Sequence, residues 1–236
     1  MLKHMLNKSA PYQVALSALA LLFGASAAHA GSITYTASGT GGDGPEGASA
    51  TITTSANAIM INLSSLQNSP TAAGQEVSGI FLTLSGAPTS DSLSSALYAL
   101  IDIAGGGGVT SDSGSITHWK TSLSSSTICL ETAGTCAVGG KPINLIIGSG
   151  PYTSANPSIT GRNPQIQGAG TFDLTAMGVT ADTTVTAVTF EFGTGPDSSL
   201  DGVLSTSPVP EPSSLLLLGT GVLGLAGALR RRLLSI

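Results

Sequence analysis

Between residues 31 and 200 the chain alternates apolar and small polar positions in short runs, broken by Gly, Ser, Asn and Pro. The period is two, the signature of half-buried strands rather than helices. Residues 32–37 set Ile33 and Tyr35 against polar neighbours. Residues 48–54 and 58–63 are separated by Ser55-Ala56-Asn57, which predicts a hairpin. Residues 76–84 carry Val77, Ile80 and Leu82 on a β-rich background. Further strands are expected over 116–123, 128–130, 144–147 (a short run with no polar partner face), 165–174 and 184–192. In the last of these, Val188, Phe190 and Phe192 alternate against Thr189 and Glu191. Residues 96–103 read as strand, but 91–103 also fits a helix capped by Asp91, and both readings stay open.

The connections are equally informative. Gly105-Gly106-Gly107-Gly108 predicts a flexible connection, and without a following Lys-bearing helix it is no phosphate cradle. Residues 150–164 hold Pro151, Pro157 and Pro164 with Asn156 and Asn163, which predicts an ordered surface loop. Eight or more short strands with no long helix define an all-β class. An antiparallel β-sandwich, jelly-roll-like, is favoured over a barrel.

The two ends differ from this middle. Lys3, His4 and Lys8 precede an uncharged apolar run over 14–23, and Ala28-His29-Ala30 follows with small residues two apart. These are the three parts of a secretory signal, with cleavage expected after Ala30. At the other end, residues 213–229 contain no charge and are rich in Leu and Gly. That is the short limit for a transmembrane helix, which needs about 20 residues. Arg230, Arg231 and Arg232 follow at once, so this helix should keep its C-terminus in the cytoplasm. The chain thus divides into a signal helix (1–30), an ectodomain (31–205), a linker (206–212), a membrane helix (213–229) and a basic tail (230–236).

Charge sharpens the picture. Only 9% of residues are charged. Between Asp43 and Asp201 lie 12 of the acids and only Lys120, Lys141 and Arg162, giving 3 − 12 = −9. A domain so acidic cannot neutralise phosphates, which excludes nucleic acid as a partner.

Val209-Pro210-Glu211-Pro212 cannot continue a helix and favours extended backbone. The order Pro210-Glu211-Pro212, apolar span, Arg230–Arg232, chain end resembles the PEP-CTERM sorting signal of exopolysaccharide-producing bacteria. That resemblance implies processing by exosortase near the Pro-Glu-Pro. It also implies transient anchoring in the inner membrane, then delivery to the cell envelope, outer surface or extracellular matrix. Residues 31–195 are further similar to a family of exported PEP-CTERM ectodomains with no assigned activity. The matching stretches are Gly44 to Ala48, Leu145 to Gly148 with Tyr152 and Asn156, and Gly178 to Thr183.

Candidate chemistry inside the domain is sparse. Cys129 and Cys136 are the only cysteines, and in an exported domain they predict a disulfide closing a small loop around Ala133-Gly134, as across a hairpin. His118 is the only histidine beyond the leader, and no Gly-x-Ser-x-Gly elbow accompanies it. A structural histidine at a strand edge is the better reading, and no enzymatic activity is expected. Oxygen ligands abound, so calcium would be the ion of choice at 43–46 or 197–201, although solvated turn acids explain both, and no metal or cofactor is expected. Trp119 and Tyr152 could contribute aromatic faces to a carbohydrate site. The function expected is a non-enzymatic structural or adhesive surface protein, with a carbohydrate-binding module recognising exopolysaccharide as the alternative.

Overall fold

The structure is a computed structural model and describes residues 31–134, 136, 142–195 and 198–205. The expected signal helix, Ala28, Ala30, Pro210, Glu211, Pro212, the expected membrane helix and Arg230 to Arg232 lie outside the described residues. Among the described residues no helix is long and apolar enough to cross a membrane.

The domain is all-β. Three strands open it, β1 (Gly31–Gly41), β2 (Gly44–Ser55) and β3 (Ala58–Ser65), paired as a meander with Gly41 opposite Gly44 and Ser55 opposite Ala58. The second turn is Ala56-Asn57, and Asn57 has φ 58°, a left-handed position that Asn tolerates. The side chain of Asn57 also accepts a hydrogen bond from the Gly178 N–H at 2.9 Å. Inward positions of β2 and β3 are Ala48, Ala50, Ile52 and Ile59, Ile61, Leu63, all buried, so the predicted hairpin carries one face of the core.

Next come β4 (Val77–Leu84), β5 (Ser90–Ile103), β6 (Val109–Asp112), β7 (Lys120–Ser124), β8 (Thr127–Glu131) and β9 (Ile146–Ile147). One short helix, α1 (Pro157–Thr160), precedes β10 (Gln165–Met177), β11 (Val185–Phe192), β12 (Ser198–Asp201) and β13 (Val203–Leu204). The open reading of residues 91–103 resolves as strand. β5 pairs with β10 and β6, and its register slips at Ser94, whose hydroxyl donates to the Asp173 carbonyl at 2.7 Å. That bulge breaks the period-two pattern, which is why a helix also fitted the letters.

The thirteen strands of the described residues form one hydrogen-bonded network in the order β12-β11-β4-β9-β10-β3-β2-β1-β13, with β5–β6 branching from β10 and β8–β7 from β4. Two blocks can be traced within it. One runs β12-β11-β4-β8-β7, the other β13-β1-β2-β3-β10-β5-β6. They meet at β9, whose Ile146 opposes Val77 of β4 and, in parallel, Ile166 of β10. They meet again at Gly202. The chain leaves β11's edge at Asp201 and joins β1's edge at Val203, so one residue links the two ends of the strand path. Gly202 donates its N–H to the Val188 carbonyl at 2.8 Å, and a Cβ there would lie 3.1 Å from Val188 and Phe190 and 3.2 Å from Tyr35. Only glycine fits that crossing without displacing core side chains.

Both blocks share one core, with Ile52, Ile61 and Phe172 from one and Ile80, Leu82, Phe190 and Phe192 from the other. The Tyr35 hydroxyl crosses between them to the Val185 carbonyl at 2.9 Å. A smaller apolar cluster of Ile101, Ile103, Ile147, Tyr152 and Ile159 lies under the segment 148–164. The expected surface loop is therefore ordered but also inserts two side chains, Tyr152 and Ile159. Asn156 caps α1 by accepting from the Ser158 N–H at 2.8 Å.

Candidate functional site

A groove of about 600 Å³ runs between the start of β5 and the approach to β7. Asp91, Ser92 and Leu93 form one wall; Thr117, Trp119 and Lys120 are on the other. Period two places Asp91 and Leu93 on the same face of β5, where Leu93 packs on the core and Asp91 sits at its margin. Asp91 Oδ2 is sealed from solvent and has no hydrogen-bond partner among the described residues. Lys120 is exposed, opposite Glu131 in the β7–β8 register.

Trp119 lines this groove but is only 2% exposed. Its ring lies 4.5 Å from that of Phe172 at 39°, and its Nε1–H donates to the Asn144 carbonyl at 2.9 Å. Tyr152 is equally buried, in the smaller apolar cluster, and its hydroxyl donates to the Gly148 carbonyl at 2.6 Å. The structure does not bring these two rings together in one site, and neither shows an open face. His118 is half-buried, with Nδ1 3.1 Å from the neighbouring Thr117 hydroxyl.

Cys129 and Cys136 are joined, with Cα atoms 6.4 Å apart. Cys129 sits inside β8, paired to Phe81 and Ser122, so the bridge ties a strand to the turn after it rather than spanning a hairpin. Glu131 organises that turn. Its Oε2 accepts the Cys136 N–H at 3.1 Å, and its carboxylate covers Gly134, which has φ 116°. Cys129, Glu131 and Cys136 lie close enough to hold an ion, but the sulfurs are already bonded to each other and offer no thiolate.

The carboxylates gather in ways the sequence conceals. Glu131 and Glu191 oppose Gly79 from its two neighbouring strands, and the missing side chain at Gly79 leaves room for the Glu131 stem. Burial, and then the charge of Glu131, push the Glu191 carboxyl up to about 7. Glu76, just before β4, is fully buried, and neither of its oxygens has a hydrogen-bond partner. Burial holds its pKa well above the usual carboxylate range; Gln165 and the Arg162 guanidinium pull back only in part. Gln165 and Asn144 are buried beside the same β9 junction, and each also leaves a side-chain oxygen unpaired. A lone acid at the head of an apolar run was the only visible signal for Glu76.

The two segments considered for calcium meet in space. The Ser198 hydroxyl donates to Glu46 Oε1 at 2.5 Å, and Asp201 Oδ1 accepts from the Thr189 hydroxyl at 3.0 Å. The Asp43 carboxylate rests against Gly74, while Asp197 lies outside the described residues. These acids thus brace the turn after β1 and the β11–β12 pair.

Comparison with known proteins matches residues 208–232 to the family model of the PEP-CTERM protein-sorting motif. No curated protein matches the chain. The matched span contains Pro210, Glu211, Pro212 and Arg230 to Arg232, the residues whose order pointed to this signal, and it implies export to the cell envelope and processing by exosortase. The chain carries a PEP-CTERM protein-sorting motif over residues 208–232.

Proposed function

We propose that the protein is a non-enzymatic component of the cell surface or extracellular matrix, delivered there after exosortase removes its C-terminal tail. The observation that carries this reading is the sorting motif at 208–232, joined to an acidic all-β domain. In this reading residues 213–229 anchor the precursor in the inner membrane, and Arg230 to Arg232 hold the tail in the cytoplasm. The ectodomain is a β-sandwich whose two layers are the blocks joined by β9 and Gly202. The core shared by both blocks and the Tyr35–Val185 bridge support that layering. The side chains that could have carried chemistry have structural work: Trp119 and Tyr152 are packed and hydrogen-bonded, and the cysteines are bridged.

Mass spectrometry of the protein from envelope and medium, in a host that carries exosortase, tests the reading. A C-terminus near Pro210–Pro212 is expected, and replacing those three residues by Ala should leave the tail attached. Intact chains ending beyond Arg232 in every fraction of the unaltered protein would overturn it. Turnover that is lost on His118→Ala would overturn the non-enzymatic part.

A second reading, a module that binds exopolysaccharide, is favoured by the polar groove between β5 and β7.

A further inference from the structure

We infer that the turn after β8 is a redox-gated zinc site: once its disulfide is reduced, the Cys129 and Cys136 thiolates and the Glu131 carboxylate bind one zinc ion. Such a site is independent of the surface role proposed above. A sulfur–sulfur bond and a metal then become alternative fasteners of the same turn.

The three donors converge for reasons other than the bond between the sulfurs. Cys129 and Glu131 are two residues apart on β8, so their side chains leave the same face of the sheet. β8 lies between β4 and β7, which fixes both stems. Glu131 in turn holds Cys136: its Oε2 accepts the Cys136 N–H at 3.1 Å and lies 3.0 Å from the Cys136 sulfur. Gly134 lets the chain wrap that carboxylate, since its φ is 116° and a Cβ there would lie 2.7 Å from the same oxygen. One ligand atom from each of Cys129, Glu131 and Cys136 lies within 4.8 Å of the other two. The strand pairing and the Glu131 hydrogen bond outlast the bridge, so the reduced site stays assembled.

Reduction takes two electrons from a dithiol or a phosphine; the S–S bond breaks and each sulfur gains a proton. Zinc binding releases both protons, because thiolate rather than thiol is the ligand. Removing two electrons from the thiolates re-forms the bridge and expels the ion. The donor set selects the metal. Two soft sulfurs and one carboxylate suit zinc, with Zn–S about 2.3 Å, whereas calcium and magnesium take oxygen alone. The three ionised donors carry three negative charges, in a cross-strand row that also holds Glu191 and Lys120. A divalent cation offsets that charge. Three protein ligands leave the fourth tetrahedral position to water.

Anaerobic titration of the full chain in detergent with cobalt(II), then with zinc, tests this with and without a phosphine reductant. The reduced protein should bind one cobalt per chain with an intense sulfur-to-cobalt absorption band, which zinc should abolish by displacement. The oxidised protein should show no such band. Cys129→Ser should remove the band, and Glu131→Gln should weaken binding tenfold or more. Equal thermal midpoints of the oxidised proteins establish that Glu131→Gln still folds. X-ray absorption of the zinc-loaded, unaltered chain needs no variant and should find two sulfur neighbours with oxygen completing the shell. A reduced protein without the band would overturn the proposal. So would zinc held without sulfur, zinc shared by four sulfurs from two chains, or affinity unchanged in folded Glu131→Gln.

Discussion

Replacing Glu76 by Gln isolates a buried group that opposes folding. The side chain is fully buried, its oxygens lack partners, and burial raises its pKa well above 4.5. The unfolded chain releases this proton near pH 4.5, whereas the folded chain keeps it. Where the folded state binds the extra proton, stability falls as pH rises, by about 1.4 kcal/mol per pH unit. The loss begins above pH 4.5 and stops once the buried carboxyl ionises. Glu76→Gln preserves shape and removes the titration, so the two stabilities should differ least near pH 4. They should then diverge upward in favour of the variant. The gap should widen with each pH unit crossed before the buried carboxyl ionises. Urea unfolding at pH 4, 5, 6 and 7, with the disulfide intact, reads this directly. Glu191 titrates in the same range but is common to both proteins and cancels in the difference. Parallel curves at every pH would refute the reasoning, because the carboxyl would then carry the same proton folded and unfolded.

Other expectations are simpler. Gly79→Ala drives a methyl into the Glu131 stem and within 3.1 Å of the Leu130 carbonyl; it should cost about 1–3 kcal/mol in urea unfolding, while Gly86→Ala, with nothing within 4 Å, should change little. Glu191→Gln should raise the thermal midpoint above pH 7 and leave it unchanged at pH 4, since the raised carboxyl weakens folding as pH climbs from 4.5 to about 7. Trp119→Ala should cost about 3–5 kcal/mol by emptying the contact with Phe172, and Trp119→Phe about 1 kcal/mol or more for the lost bond to Asn144. Reducing Cys129–Cys136 should lower stability by about 2–3 kcal/mol, measured as a urea midpoint with and without reductant.

What the sequence disclosed follows from what period two can report. β2, β3, β10 and β11 each bury one face, so Ile59, Ile61, Leu63 and Phe172, Leu174, Ala176 announce themselves in the letters. β6 and β12 are mostly exposed and rich in Ser, Thr and Asp, and β13 is only the exposed pair Val203-Leu204, so none carries a buried stripe to read. β5 was ambiguous because of its bulge at Ser94, and in β11 Val185 and Val188 both face inward across a register slip. The sorting motif was fully legible, being a linear code of order and spacing. The groove and the buried acids were not. Asp91 meets Lys120, and Glu76 meets Gln165 and Arg162, only through pairings between strands remote in the chain. Trp119 illustrates the converse: residue type raised a sugar platform, while packing on Phe172 decides its surroundings.

The passage through Gly202 gives the domain a clasp made from its own last residues. β12 and β13 grip the two extremes of the strand path, so neither can dock before both extremes exist. A polypeptide threaded across a membrane from its N-terminus would hold an unfastened sheet until Leu204 had emerged. Fastening would then coincide with arrival of the sorting motif that begins at residue 208, so closure of the domain and exposure of that motif would share one moment in export.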